Sequence, residues 1–187
     1  MKLTARTVHR VIGGVALLCG AALLPGTALA TTAPSGKASS HTSSHAWGAP
    51  RCTERQTEIW LGLGNGGGTA GTIFYPLEFT NISHHTCTLW GYPQVKGLSS
   101  GGRQIGKASR ALRSRHWVVT LWPGWTAHAA LGIVEAGNVC SRPVNAATLK
   151  VRAPHQGSST QISFPFQACR GKRVLVTGPV KAGVGIP

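Results

Sequence analysis

Beyond residue 50 the chain alternates apolar and polar positions with a period of two rather than 3.6, the mark of half-buried strands. Ile59, Leu61 and Leu63 fall on one face, with Glu58, Trp60 and Gly62 between them. Ile73, Tyr75, Leu77 and Phe79 follow, with Thr72, Glu78 and Thr80 among the residues of the opposite face. Later apolar runs cover Trp117–Leu121, Ala127–Val134, Leu149–Arg152, Ile162–Phe166 and Val174–Val176. Gly64–Gly68, Ser99–Gly102, Pro123–Gly124 and Ala153–Pro154 supply turns between them. Pro76 and Pro165 fall inside runs, which predicts edge strands or bulges there, because proline lacks the ladder donor. Seven to nine short strands at this spacing predict an all-β domain, an antiparallel immunoglobulin-like β-sandwich. A small barrel is the alternative.

The first fifty residues read differently. Lys2, Arg6 and Arg10 precede an apolar run from Val11 to Leu24, which Pro25 and Gly26 break. Ala28-Leu29-Ala30 then offers the small-x-small pattern of signal peptidase cleavage. Residues 1–30 are expected to be a signal peptide cleaved after Ala30. The alternative is an uncleaved N-terminal anchor, although the run is short for a membrane span. Neither a lipobox at Cys19 nor an Arg-Arg pair is present, so general secretion is expected. Residues 31–50 are rich in Ser, Thr, Ala and Pro and read as a flexible linker. Residues 51–187 then form one domain, with no membrane span in the mature chain.

Composition narrows the chemistry. All four acids are glutamates (Glu54, Glu58, Glu78, Glu135), and the 187 residues contain no aspartate. A Walker-B site, an EF-hand, an aspartic dyad and a Ser-His-Asp triad are therefore excluded as usually built. The whole chain carries +15; without residues 1–30 it carries sixteen Lys and Arg against four Glu, a formal +12. Cys52, Cys87, Cys140 and Cys169 then remain, an even number suited to two disulfides in an oxidising compartment. Three pairings are possible and sequence does not choose among them. The expectation is Cys52–Cys87 with Cys140–Cys169, the sequential pairs that close moderate loops.

The landmarks also occur in a recognisable order. Cys52 opens the domain, Leu77-Glu78-Phe79-Thr80-Asn81 ends a strand, and Cys87-Thr88-Leu89-Trp90-Gly91-Tyr92-Pro93 follows. Leu121-Trp122-Pro123-Gly124, Cys140 and Cys169 complete the set. Over roughly residues 51–180 this pattern resembles the secreted actinobacterial domain of unknown function 4232. The resemblance implies a β-sandwich in exported proteins of high-GC Gram-positive bacteria, and it brings no catalytic residues to carry over.

Several motifs imitate catalytic sites. Gly62–Gly67 satisfies G-x-G-x-x-G, but a strand rather than a helix is expected after it, and no acid stands at the ribose-binding distance. Gly101–Ala108 approaches a P-loop, yet Ala108 stands where a magnesium-holding hydroxyl belongs. Gly97-Leu98-Ser99-Ser100-Gly101 matches a nucleophile elbow, with Glu135 as the one downstream acid and His116, His128 or His155 as base. The all-β context argues against it. His84-His85-Thr86-Cys87 and His41/His45 suggest metal ligation, which a disulfide at Cys87 would reduce to two loop histidines. Nothing pairs two glutamates at a glycosidase separation. No catalytic residue, cofactor or metal is expected.

Two features point to binding. Arg103, Lys107, Arg110, Arg113 and Arg115 lie within thirteen residues that contain no acid. Trp90, Trp122 and Trp125 lie near turns, where indoles can stack on sugar rings. A solvated basic loop and tryptophans closing the sandwich are the plain alternatives. The expectation is a secreted, non-enzymatic module for an anionic polymer or cell-wall polysaccharide, with no specific nucleic-acid partner. A secreted hydrolase, or an inhibitor of one, is the second reading; the oligomeric state is left open.

Overall fold

A computed structural model of the chain describes residues 48–62 and 67–185. The expected signal peptide, Cys19, His41, His45, the linker through Trp47 and the glycine loop 63–66 lie outside the described residues. Thirteen strands are present: β1 (Thr57–Leu61), β2 (Gly68–Thr69), β3 (Thr72–Asn81), β4 (Cys87–Leu89), β5 (Gln94–Leu98), β6 (Gln104–Ile105), β7 (Arg110–Ala111), β8 (Val119–Leu121), β9 (Thr126–Val134), β10 (Val144–Arg152), β11 (Thr160–Ala168), β12 (Leu175–Thr177) and β13 (Lys181–Ala182). Nine are three residues or longer and four are two-residue pairings, so the substantial strands match the seven to nine expected. The helical content among the described residues is two single 3-10 turns, Glu54–Gln56 and Ala136–Asn138.

The strands form a seven-stranded sheet ordered β1-β3-β9-β12-β7, with β2 on β3 and β13 on β9. A four-stranded sheet runs β11-β10-β5-β6, and β4 pairs with β8 in a separate ladder. All strand pairings are antiparallel except β12 with β7, where Val176 and Thr177 sit beside Arg110 and Ala111 in parallel.

Alternation explains the interior. Phe79, Leu77, Ala127, Ala129 and Leu131 point inward from β3 and β9, while Val95, Leu149 and Val151 do so from β5 and β10; all are fully buried. Each buried Leu or Phe side chain contributes roughly 1.5–3 kcal/mol, so this two-faced layer dominates stability. Gly97 belongs to it for a steric reason: a Cβ there would lie 2.7 Å from the Phe166 ring, which crosses the sheet at that point.

Three details depart from the sequence pattern: Pro76, the Trp117–Val118 pair and Glu78. Pro76 is not on an edge, since β3 is paired on both sides. Its carbonyl accepts the Gly62 N–H at 2.9 Å just past the last residue of β1, so the absent proline donor falls where that pairing ends. Pro165 does meet expectation: β11 is terminal in its sheet, and its register against β10 shifts between Ala146 and Thr148. Trp117 and Val118 are not strand residues; β8 begins at Val119 and both stand exposed, Trp117 by 71%. Glu78, expected on a polar face, is 2% exposed, because the chain after β13 folds back over it and the Gly185 N–H donates to its Oε1 at 2.7 Å. His128 is its cross-strand partner, and its Nδ1–H donates to the Gly183 carbonyl, 2.9 Å away.

The cysteines pair as Cys52–Cys87 and Cys140–Cys169. The first joins the start of the domain to β4, and the second joins the loop after Ala136–Asn138 to the end of β11. Ahead of Cys52, Pro50 accepts the Thr88 N–H at 2.8 Å, so the end of the expected linker is already attached to β4.

Candidate functional site: a cationic and aromatic surface

The segment Cys87–Pro93 is a divider between two surface groups. Gly91 takes φ +92°, a left-handed value open to glycine at little cost, and it separates Trp90 from Tyr92. Trp90 meets the His155 ring at 4.8 Å between centroids, and the Arg51 guanidinium lies 5.3 Å from its centroid. His155 is the one non-glycine residue with positive φ among the described residues, at 61°.

Tyr92 acts on the other group. Its hydroxyl donates to the Ser114 carbonyl at 2.5 Å and accepts the Ser114 N–H at 3.0 Å. Its ring also meets His116 edge-on at 5.5 Å. One phenol thereby fixes an irregular segment that would otherwise have no ladder to hold it. On this anchor Arg113, Arg115, His116 and Trp117 line an open concavity of about 600 Å³ together with Ser114. Two guanidinium groups and one exposed indole are presented side by side, and no acid lines the surface. The arrangement can hold an anion and offer a flat apolar face beside it.

The remaining expected residues are placed elsewhere. Trp122 and Trp125 stand on the β8–β9 turn, 54% and 60% exposed. Asn81 organises that turn from a fully buried position: its Nδ2 donates to the Leu121 and His85 carbonyls, each at 2.9 Å, and its Oδ1 accepts from Ser83. Arg103 shares a concavity with Arg170, and the Lys107 N–H donates to the Lys172 carbonyl. Arg110 lies on β7, in the other sheet from β6. The thirteen-residue basic run is therefore divided among four places, and only Arg113 and Arg115 line a concavity with an exposed tryptophan. That tryptophan is Trp117, which alternation alone had assigned to a strand.

The catalytic look-alikes take other geometries. Ser99 lies in a β5–β6 hairpin where its N–H donates to the Arg103 carbonyl, so no strand-to-helix elbow exists. Gly106, in the P-loop-like stretch, takes φ +71°, and a Cβ there would collide with the Lys172 and Cys169 carbonyls. Glu135, His116 and His128 stand at three separate sites: beside Asn138, beside Tyr92 and beside Glu78. His84 and His85 belong to the β3–β4 turn, which Asn81 also holds through the His85 carbonyl, and Cys87 is disulfide-bonded. Among the described residues no group of three or more His, Cys or Glu could hold a metal ion.

A second concavity lies beside Trp90, lined by Arg51, Arg55 and His155. Its acid, Glu54, is occupied: the carboxylate accepts the Ser158 N–H at 2.5 Å and the Gly157 N–H at 2.6 Å. The Ser158 backbone bond first, then its side chain and the Gly157 amide, hold the Glu54 carboxyl below the usual carboxylate range. Because the folded value is lowered, this contribution is present above the unfolded value, about 4, and fades as pH falls through the folded one. Thermal melts of wild type and Glu54→Gln should therefore differ by a constant amount above about pH 5 and converge toward pH 3. A gap that persists unchanged at acid pH contradicts this role.

Fold and disulfides define the class: an all-β, sandwich-like domain stapled at two points. The family model "Domain of unknown function (DUF4232)" matches residues 52–181, and the chain belongs to that family. No curated protein and no solved structure matches it.

Proposed function

We propose that the domain is an exported, non-enzymatic binding module that holds an anionic polysaccharide of the cell envelope against the Arg113–Trp117 surface. The observation that carries this reading is the tyrosine-clamped set of two arginines and one indole, 71% exposed, on a segment free of acids. The exposed indole beside two guanidinium groups offers a flat face for stacking, and the clamp lowers the ordering cost of binding. Acidic sugars meet both requirements, with a ring face for the indole and a charge for each guanidinium. The disulfides support an oxidising compartment, and the n-region, apolar run and Ala28-Leu29-Ala30 support export. No helix among the described residues is long and apolar enough to cross a membrane.

The test is retention on the purified wall fraction of the producing organism. Arg113→Glu with Arg115→Glu should weaken retention roughly tenfold or more at low salt. Trp117→Ala should weaken it severalfold at both low and high salt, and both variants should melt with wild type because the changed side chains are exposed. Equal retention of all three proteins, or turnover of the polymer by the domain, contradicts the proposal.

A further inference from the structure

Strand alternation aims Ile73 into the sandwich, in line with Tyr75, Leu77 and Phe79, yet Ile73 is 51% exposed while Leu77 and Phe79 are wholly buried. Among the described residues nothing seals the interior at this end. Ile73 pairs with Ile133 across β3 and β9, and the facing wall is Phe164 and Phe166 of edge strand β11. Tyr75 meets Phe164 edge-on at 5.0 Å, joining the two sheets at the floor, and Phe164 and Phe166 lie 6.4 Å apart. Beyond that floor an apolar cleft of about 630 Å³ opens between the sheets, large enough for a small organic molecule.

Its electrostatics differ from those of the other concavities described. Those carry Arg51 and Arg55, Arg113 and Arg115, Lys96, Lys150 and Arg152, or Arg103 and Arg170. The inter-sheet cleft has no Lys or Arg in its lining, and its one ionisable wall group at the rim with a charge at neutral pH is Glu135. Among the described residues the side-chain hydrogen bond to that carboxylate is a long one, 3.4 Å from Asn138 Nδ2 to Oε2. In a chain with a formal charge of +15, this is an acid kept clear of cations beside unsealed core side chains.

We propose that this cleft binds a small amphipathic cation, inserting its apolar body between Ile73 and Phe164 and placing its ammonium group on Glu135. The site is independent of the Arg113–Trp117 surface and takes the opposite charge. Burial of an apolar body against the aromatic wall supplies most of the affinity, and the carboxylate selects the sign of the charge. An anion of the same size meets Glu135 repulsively and no compensating cation.

Three probes of one shape separate these contributions: 3-phenylpropylammonium, 3-phenylpropanol and 4-phenylbutyrate, titrated into the ¹⁵N-labelled mature chain at neutral pH and followed by NMR. The ammonium should cause saturable shifts at Ile73, Ile133 and Phe164, the alcohol should bind there about fivefold more weakly, and the carboxylate should shift basic surfaces instead. Glu135→Gln, an exposed change, should remove the preference for the ammonium and leave the alcohol's affinity within about twofold. Ile73→Trp should fill the mouth and abolish both. Absence of saturable shifts in the cleft, or an ammonium preference that survives Glu135→Gln, overturns the proposal.

Discussion

Replacing Cys52 and Cys87 together by serine is expected to lower the domain's unfolding free energy by about 4 kcal/mol in the chain-entropy account. The bridge closes a separation of 35 residues, and removing it frees the unfolded chain more than it changes the folded contacts. Both sulfurs are buried, Cys52 at 1% and Cys87 at 0%, so the serine hydroxyls also enter an apolar site without assured partners. The loss should be seen as a lower denaturant midpoint with little change in slope. The Cys140–Cys169 pair, with a separation of 29 residues, should contribute a similar amount. A double variant that melts with wild type would show that the native contacts alone hold the start of the domain to β4.

Asn81→Ala carries the second large effect, a loss of about 3 kcal/mol. The side chain is fully buried and makes hydrogen bonds to Leu121, His85 and Ser83 that no alanine can replace. The buried Leu121 carbonyl would lose its side-chain donor, at a cost of roughly 1–3 kcal/mol for an orphaned buried polar group, while the His85 carbonyl keeps the Ser83 hydroxyl at 3.0 Å. Asn81→Asp is the informative companion. It keeps the acceptor that holds Ser83 but loses the amide donors, so it should destabilise as severely as alanine or more. Denaturant titration of the two variants checks this, and near-wild-type stability of Asn81→Ala contradicts the assigned role. Because Trp122 and Trp125 ride on the same turn, tryptophan emission should shift in both variants before global unfolding.

Legibility from sequence followed physical range. Alternation in β3 and β9 was readable because each side chain's environment depends on its own strand and the facing sheet. Leu77, Phe79, Ala129 and Leu131 are buried as the pattern required. The same pattern overreached at Ile73, since periodicity assigns a face but not whether the sheets meet above it. Glu78 departs from the pattern for a related reason: Gly185, in the segment that covers it, is 107 residues away along the chain. β5 was missed although Val95 and Gly97 point inward between Gln94 and Lys96, because its second inward position is a glycine making room for Phe166.

The candidate surface was legible only in part. A basic run from Arg103 to Arg115 suggested one patch, but β6 belongs to one sheet and β7 to the other. The chain crosses between sheets within that run, which separates Arg103 and Lys107 from Arg113 and Arg115. Trp90, Trp122 and Trp125 were singled out for lying near turns, and the last two are indeed exposed. Trp117 was absorbed into a strand pattern because Trp-Val-Val-Thr-Leu is apolar throughout its first three positions. Arg113-Ser114-Arg115-His116 immediately before it is the available signal, since cations on both sides of a small residue suit an exposed segment.

The most direct measurement is the affinity of the protein for the purified wall fraction across about 0.05–0.5 M salt, a range over which screening of exposed charges rises several-fold. Wild type should bind progressively more weakly as salt rises, and the Arg113→Glu/Arg115→Glu variant should show weaker binding with a flatter salt dependence. At the highest salt the residual affinity should depend on Trp117. Identical salt curves for wild type and the charge-reversed variant would contradict the account.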